Sequence, residues 1–345
     1  KQLSAVLFDE RKLKPGKKTK TGYSTDTDVL ESLREFDCVP GMILDYRAKA
    51  KLLSTYVETL PQMADSSGRV HTTFMQTGTA TGRLSSKDPN LQNIPVRSEE
   101  GRKIRSAFTA PQGKILISAD YAQIELVILA HLSGDANLCK AFNEGTDVHK
   151  STAALIYGLP MESVTAEMRR NAKTLNFGLM YGMGAFSLAK DLKISRTQAA
   201  EFIANYFMVY SGVRNFFDKN VEQAEKNGFI ETIMGRRRWI RGINSANKME
   251  KEGAIRIAKN SPIQGSAADI VKKAMIDVSK ALEENPTGAR LLLQVHDELI
   301  FECPEGQKPV SDTIALITEK MEHAVQLNVP LRVSVESGKT WGEFH

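Results

Sequence analysis

The chain has 345 residues, 41% of them hydrophobic, and its 46 Lys and Arg residues against 41 Asp and Glu residues give a formal charge of +5. This supports a large core in more than one subdomain and mildly favours a polyanionic partner. The longest apolar run, residues 115–132, contains Asp120, Gln123 and Glu125, which excludes a membrane span, and three scattered cysteines without a C-x-x-C pair fit a reducing, intracellular compartment.

The N-terminal part of the chain predicts helices, a basic linker and then a long irregular segment. Helical patterns are separated by the basic stretch "RKLKPGKKTK" (11–20). Thr25 is the expected N-cap of the helix that follows, because Asp26 and Asp28 would then lie in its first turn. The stretch "TGTATGRLSSKDPNLQNIP" (77–95) predicts an extended, turn-rich segment, and long segments of this kind are usually functional or disordered.

The rest of the chain alternates between short apolar strands and long helical patterns. A strand at 114–119 runs into a helix that ends at Ser133 and Gly134, and consecutive helices follow over 149–230. The later elements are a helix from about Thr165 to Tyr181 within that region, a helix from about 246 to 284 that Pro262 disturbs, and the alternating stretch "PLRVSVESG" (330–338), which is typical of a strand at a sheet edge.

The stretch "LLLQVHDELIFE" (291–302) places acids inside what otherwise reads as buried sheet. We interpret it as a hairpin with His296 and Asp297 at the tight turn, and ordinary turn chemistry alone would also explain polar residues there. Asp120, however, ends another apolar strand, so the two acids converge if both strands share one sheet. Adjacent carboxylates repel each other unless a cation lies between them, which makes them candidate ligands for a pair of Mg²⁺ ions in phosphoryl transfer.

A second constellation lies on one predicted helix. Arg169, Lys173, Phe177 and Tyr181 recur every four residues, so at about 3.6 residues per turn they share one broad face. Two cations followed by two aromatic rings match a nucleoside triphosphate, with its phosphates near the cations and its base near the rings. The alternative is an ordinary amphipathic helix with both rings in the core.

Three stretches in this order carry a resemblance to a known family. "DYAQIEL" (120–126), "RRNAKTLNFGLMYG" (169–182) and "QVHDE" (294–298) resemble the three polymerase motifs of the family A DNA polymerases, the bacterial DNA polymerase I type. "TGRLSSKDPNLQNIP" and "RIAKNSPIQGSAADIVKKAM" (256–275) are similar to that family as well, and the resemblance covers nearly the whole chain.

The resemblance implies an α+β, right-hand polymerase fold with an antiparallel-sheet palm, helical fingers and a partial helical thumb. Residues 1–69 would form the thumb, 70–138 the first part of the palm, 139–247 the fingers, and 248–345 the second part of the palm with the catalytic hairpin. It also implies template-directed addition of deoxynucleotides to a primer 3′ end by two-metal-ion phosphoryl transfer, with release of pyrophosphate.

The family's catalytic positions match particular residues here. Asp120 and Asp297 match its metal-binding aspartates, which hold two Mg²⁺ ions with Mn²⁺ as a substitute, and the Tyr121 carbonyl is a further ligand. Glu298 matches the neighbouring acid with a supporting role. Lys173 is the expected general acid that delivers a proton to the departing pyrophosphate.

The family's nucleotide contacts match seven residues of this chain, which are His149, Arg169, Lys173, Phe177, Tyr181, Gln123 and Glu125. His149 and Arg169 would hold the phosphates in line, although taken alone His149 would be read as a capped or core histidine. Glu125, packed near Tyr181, would fill the space of a ribose 2′-hydroxyl and so select deoxynucleotides. Phe177, where some relatives carry Tyr, is expected to disfavour dideoxynucleotides.

The resemblance also implies contacts with primer-template DNA. Arg83, Arg256, Asn260 and Gln264 match positions that would test base pairing largely from the minor groove. His296 is a further expected DNA contact, and Lys18 and Lys20 of the basic linker would meet backbone phosphate. A solvated linker is the alternative for the two lysines. The expected partners are therefore primer-template DNA and deoxynucleoside triphosphates, with no membrane, for a monomer in the cytoplasm of a bacterial or virus-infected bacterial cell.

Two departures from the family pattern occur in and directly after the first motif. Val127 replaces the usual Arg after "DYAQIEL", which puts fidelity, template contacts or tolerance of unusual templates in doubt, and Ala122 replaces the common Ser. Two other functions remain open, an RNA-templated DNA polymerase and a non-catalytic DNA-binding remnant, and retention of Glu125 argues against incorporation of ribonucleotides. No exonuclease is expected in this chain, because in the family the nuclease activities lie upstream.

Overall fold

A computed structural model describes residues 1–20, 22–96 and 98–344. Helices combined with antiparallel sheets confirm the predicted α+β class. The chain forms two compact units, of which the first comprises Lys1–Thr73 with Ile94–Ile104 and the second comprises Phe74–Asn93 with the residues from Arg105 onward.

The first unit is built from short helices around a small apolar core. The core residues are Leu7, Phe8, Val29, Leu30 and Leu33. The elements of this unit are α1 (Gln2–Ser4, continued by a π-helical stretch Ala5–Glu10), β1 (Lys18–Thr19), β2 (Gly22–Tyr23), α2 (Thr27–Leu33), α3 (Cys38–Leu52, continued by a π-helical stretch Leu53–Val57), α4 (Thr59–Gln62) and most of α5 (Glu99–Ser106). Three short elements precede α5 in the chain and belong, apart from Thr73, to the second unit; they are β3 (Thr73–Met75), β4 (Ser85–Lys87) and a 3-10 turn (Leu91–Asn93).

The predicted cap of α2 was wrong by one residue. Asp26, not Thr25, is the N-cap, and its carboxylate accepts from the backbone amide of Val29 over 3.0 Å. Asp caps as well as Ser or Thr do, and a carboxylate also gains from the positive end of the helix, so either residue satisfied the sequence rule. The irregular character predicted for residues 77–95 is confirmed apart from β4 and the 3-10 turn.

The second unit contains a four-stranded antiparallel sheet. Its strands are β5 (Lys114–Tyr121), β8 (Arg290–Val295), β9 (Glu298–Pro304) and β10 (Val333–Gly338), in the order β10-β5-β9-β8. The predicted hairpin and the predicted edge strand are both confirmed. Alternation along the strands divides the sheet into two faces, one apolar and the other carrying polar groups.

Helices cover the apolar face of that sheet and extend away from it. Ile117 and Phe301 of the sheet belong to one continuous core with Leu129, Leu175 and Ile270 of the helices. The remaining elements of the unit are α6 (Ile124–Ser133), α7 (Ala136–Asn143), α8 (Val148–Tyr157), α9 (Ala166–Met180), α10 (Ala185–Leu192), α11 (Arg196–Val209), α12 (Ser211–Asn227), β6 (Phe229–Glu231), β7 (Arg237–Trp239), α13 (Lys248–Glu284) and α14 (Gln307–Glu322).

Several sequence boundaries agree with these helices. Thr165 caps α9 by accepting from the amide of Met168, and Tyr181 is its C-cap, as predicted. The helix predicted around 246–284 is α13, which continues unbroken through the buried Pro262. Val127, the departure from the family pattern, is a residue of α6 that is 2% exposed and belongs to the core, so this position contributes packing rather than charge.

Candidate active site

Two acids lie where paired strands of the central sheet end. Asp120, the penultimate residue of β5, is the Cα partner of Glu298 at the start of β9. The backbone amide of Tyr121 donates to the carbonyl of Asp297 over 3.3 Å. The backbone therefore places Asp120 and Asp297 at the same end of the sheet, although they are far apart in sequence.

The turn that carries Asp297 is braced by two glutamines. His296 adopts a left-handed φ of 57°, which interrupts the strand alternation between β8 and β9. Gln294 donates through its side chain to the His296 carbonyl, and Gln92 donates to the side-chain oxygen of Gln294 over 2.9 Å. Neither glutamine was predicted to have a role, although both lie within stretches that carry the family resemblance.

Glu298 lies on the polar face of the sheet, beside Asp120. Its side chain is 6% exposed and accepts from the Ser118 hydroxyl over 2.6 Å. Arg105, buried with its guanidinium 4.4 Å above the Trp341 ring, contributes a favourable charge to this acid. The arrangement holds Glu298 in one orientation behind the strand end, which fits the supporting role expected for it.

Asp297 is a partly buried carboxylate, and burial disfavours its ionised form. Burial raises its pKa to about 6, the Arg83 guanidinium opposes that rise, and the negative charge of Glu125 adds to it. Arg83, Lys272, Gln294 and His296 line the cleft around it. A nearby cation would stabilise the ionised form of Asp297, because burial disfavours an uncompensated charge.

The donors present at the strand ends fit Mg²⁺ better than a soft metal. Within the described residues, no group of three or more His, Cys, Asp or Glu side chains is arranged to hold a metal ion. Asp120, Asp297 and the Tyr121 carbonyl offer only oxygen atoms. Mg²⁺ is commonly held by one or two carboxylates and completes its shell with water and substrate phosphate oxygens, so a sparse oxygen set of this kind suits it.

The two cations and two aromatic residues predicted to share one face of α9 differ in how far they are exposed to solvent. Arg169 and Lys173 are exposed, whereas Phe177 is half-buried and packs on the core. Tyr181 is 43% exposed. The core interpretation therefore holds partly for Phe177 and does not hold for Tyr181, and the two cations remain open to solvent.

Arg169 is held by an acid that the sequence reading did not single out. Its Nε donates to Asp147 over 2.6 Å. Asp147 also caps α8, where it accepts from the amides of His149 and Lys150, each over 3.0 Å. One carboxylate thus joins the start of α8 to the basic end of α9.

Glu125 connects three elements of the site. It is 6% exposed in the first turn of α6, accepts from Arg83 over 2.7 Å, and accepts a hydrogen bond from the Tyr181 hydroxyl. Burial, followed by the bond to Glu125, raises the pKa of Tyr181 well above its ordinary value. The predicted proximity of Glu125 and Tyr181 is confirmed. Gln123, just before α6, adopts a left-handed φ of 55°.

His149 is a buried histidine in this structure. It is 2% exposed, and its ring lies 5.6 Å from the Phe177 ring. Burial lowers its pKa to about 4, Asp147 partly offsets this, and Arg169 and Lys173 add to it. The ring is therefore neutral at pH 7. Contact with a phosphate remains a prediction.

The residues expected to meet DNA lie near the same site. Arg256, Asn260 and Gln264 recur every four residues on α13 and so share one side of it. The Arg256 side chain packs against Gly182, which follows the C-cap of α9. A Cβ added at Gly182 would lie 2.8 Å from Cγ of Arg256. The side-chain oxygen of Asn260 is buried without a hydrogen-bond partner among the described residues.

The two lysines of the basic linker belong to the first unit. Lys18 lies in β1 and Lys20 follows this strand, and both are exposed. Their expected contact with backbone phosphate stays a prediction. Over the part of the chain that the structure describes, no helix has the length and apolar character needed to cross a membrane.

Comparison with known proteins places this geometry in a family. The sequence profile described as DNA polymerase family A matches residues 1–343. The chain is 54% identical over its whole length to DNA polymerase I of Treponema pallidum (strain Nichols), covering 34% of that protein. It is 52% identical to DNA polymerase I of Caldicellulosiruptor bescii, with 99% of this chain and 40% of that protein covered.

A solved structure is similar over nearly the whole chain. It is the POL domain of Pol1 from M. smegmatis in complex with DNA primer-template and dNTP, with a TM-score of 0.92 and 48% identity over 99% of this chain and 60% of that one. This chain belongs to the family A DNA polymerases. It spans about a third to two fifths of the length of the curated relatives named above.

Proposed function

We propose that this chain is the polymerase part of a DNA-templated DNA polymerase, which adds deoxynucleotides to a primer 3′ end and releases pyrophosphate. The observation that carries the proposal is the backbone bond from Tyr121 to Asp297, because it holds the two acids at one strand end. Family membership and the DNA and dNTP in the similar solved structure support the same conclusion.

The two acids would concentrate negative charge at one point of the site. Asp120 and Asp297, with the Tyr121 carbonyl, would hold two Mg²⁺ ions, or Mn²⁺ in their place, and Glu298 would keep the strand end in position through Ser118. Divalent cations bound there supply charge neutralisation at the attacking and leaving oxygens of phosphoryl transfer. The high pKa of Asp297 in its buried setting is consistent with a carboxylate built to face positive charge.

The exposed end of α9 would receive the triphosphate. Arg169 and Lys173 are solvent-accessible cations on one ridge, so they can exchange water or Asp147 for phosphate oxygens. Lys173 would deliver a proton to the departing pyrophosphate as a general acid. Phe177 and Tyr181, one and two turns further along, would flank the sugar and base.

Selection of the sugar would fall to Glu125. Its two hydrogen bonds, from Arg83 and Tyr181, hold a buried side chain in one orientation. A rigid wall can reject one extra hydroxyl where a mobile one would yield. Gln123, immediately before α6, would contribute to the same nucleotide pocket.

Primer-template DNA would lie along α13 and the adjoining loop. Arg83, Arg256, Asn260, Gln264 and His296 would contact it near the primer end, and minor-groove acceptors are present on every base pair, so these contacts need not read sequence. Lys18 and Lys20 would add salt-dependent phosphate contacts. We further propose that the chain acts in the bacterial cytoplasm, since the curated relatives are bacterial, and that it acts as a monomer.

Primer extension with Mg²⁺ tests the proposal directly. The wild type should extend a DNA primer on a DNA template with dNTPs, and Asp297→Ala should lose that activity while Asp312→Ala, on the exposed face of α14, keeps it. Parallel reactions with an RNA template or with rNTPs measure the alternatives. Undiminished extension by Asp297→Ala would overturn the assignment of the acids, and DNA binding without extension by the wild type would favour a non-catalytic role.

A further inference from the structure

A buried polar network connects the helices behind the basic face of α9. Thr152 and Tyr210 are fully buried, as is Asn176, and they lie on α8, at the α11–α12 junction and on α9 respectively. His149 joins them at the start of α8. The side-chain nitrogen of Asn176 lies 3.0 Å from Nδ1 of His149 and 3.0 Å from the Thr152 hydroxyl, and that hydroxyl lies 2.8 Å from the Tyr210 hydroxyl.

The direction of each hydrogen bond follows from counting protons. The Thr152 hydroxyl has one proton. It lies 2.7 Å from the Val148 carbonyl, and since a carbonyl can only accept, the hydroxyl donates its proton there. Thr152 must then accept from both of its other neighbours. Tyr210 donates to it, and Asn176 presents its NH₂ group rather than its carbonyl oxygen, whose 3.3 Å approach to Thr152 is longer.

The remaining amide proton decides the state of the histidine. Asn176 has two N–H groups, of which one is directed to Thr152 and the other to Nδ1 of His149. Nδ1 must therefore carry a lone pair, and the proton of the neutral imidazole must be on Nε2. A single carbonyl of α8 thus fixes the tautomer of His149 through Thr152 and Asn176.

We propose that Asn176 is a positioning residue for nucleotide binding, which holds His149 in the Nε2–H tautomer as a hydrogen-bond donor for a triphosphate oxygen. The inference rests on the proposed function for the role of His149 and goes beyond it in naming what prepares that residue. The other tautomer would present a lone pair to an anionic phosphate and would repel it.

The surroundings of His149 explain why a neutral donor is useful there. Arg169 and Lys173 already supply two positive charges beside the ring, and Asp147 supplies one negative charge. Burial keeps the imidazole uncharged, so it can add direction without adding a third charge. Oriented N–H groups in a buried setting need little reorganisation when a substrate binds.

The tautomer can be measured without any enzyme assay. Long-range ¹H–¹⁵N NMR spectra of ring-labelled histidine in the intact protein distinguish Nε2–H, Nδ1–H and doubly protonated rings, and loss of a signal in His149→Gln assigns it. The wild type should show His149 protonated on Nε2 alone at pH 7. An Nδ1–H or doubly protonated ring in the wild type would overturn the proposal, whatever the variants do.

Asn176→Asp replaces the amide donor by an acceptor of the same shape. We expect Nδ1 of His149 to gain a proton in this variant, because a carboxylate accepts from it. Asn171→Asp is the matched control, since it adds the same charge to the same helix at a residue bonded to Tyr157, outside the network. Its His149 spectrum should match the wild type. A spectrum unchanged by Asn176→Asp would count against Asn176 as the residue that sets the tautomer.

Steady-state kinetics then separate positioning from general structure. Asn176→Ala should raise the KM for dNTP roughly three- to tenfold, the range expected for one lost hydrogen bond, with a smaller effect on kcat. Asn171→Ala should not. The same change should have no further effect in a His149→Ala background, and an effect that persists there would refute action through His149. A wild type that shows the Nε2–H ring yet fails to extend primers would contradict the proposed function alone.

Discussion

Asp120 and Asp297 are fixed by the backbone of paired strands, whereas Arg169 and Lys173 project from an exposed face of α9 on long side chains. The acids cannot change position without breaking the pairing of β5 with β9. Arg169 is held by one carboxylate that phosphate could replace. The difference indicates a rigid part that keeps like charges close together and an adaptable part that can accept and release a charged substrate.

The largest expected effect tests the rigid part. Asp120→Asn keeps the size of the side chain and removes its charge, so extension should fall by at least a thousandfold, about 4 kcal/mol of transition-state stabilisation. The thermal midpoint of unfolding should stay close to that of the wild type. Asp312→Asn, which loses only the exposed bond to Lys308, is the control. Loss of activity together with loss of folding would mean that Asp120 serves mainly the sheet.

A second test concerns the loss of stability at acid pH that the buried His149 of α8 should cause. The pKa of His149 falls from 6.5 to about 4 on folding, so between those values the unfolded chain binds more protons and stability rises with pH. A pKa change of this size contributes about 3 kcal/mol to the free energy of unfolding. This contribution is present above pH 6.5 and is lost as the pH falls towards 4.

Denaturant titrations at pH 7 and pH 4.5 would measure that contribution. His149→Gln has no proton to gain, so its free energy of unfolding should fall less than that of the wild type between the two values. Equal losses for the wild type and His149→Gln would show that His149 is not the group responsible.

Much of this architecture could be predicted from the sequence, and the exceptions share a cause. Short apolar runs located β8 and β9, alternation over 330–338 located β10, and the Thr165 cap located the start of α9, because these signals are local. The link between Asn176 and Thr152 joins α9 to α8 across buried faces, and no local pattern reports it. Arg105 is similar, since a charged residue predicts surface, whereas the Trp341 ring covers it.

A third test asks whether Glu125 selects deoxynucleotides through the size of its side chain or through its charge. Glu125→Ala removes the side chain from Arg83 and Tyr181, and use of rNTP relative to dNTP should rise by about a hundredfold. Glu125→Gln keeps the volume and an oxygen for one of the two donors, so it should retain most of the selection. Competition between dCTP and CTP in single-nucleotide extension gives the ratio, and equal relaxation in both variants would show that the charge is responsible.

The smallest expected effect tests whether Arg169 really exchanges partners. Asp147→Asn removes the ion pair but keeps an equally good cap for α8. The pair is exposed, so stability should fall by less than about 1 kcal/mol. The KM for dNTP should decrease by up to about fivefold, because Arg169 no longer has to leave a carboxylate before it meets phosphate. Asp147→Ala also loses the cap and separates the two effects in denaturant titrations. A higher KM in Asp147→Asn would mean instead that the carboxylate holds Arg169 in its binding position, and the adaptable part would then be as preorganised as the sheet.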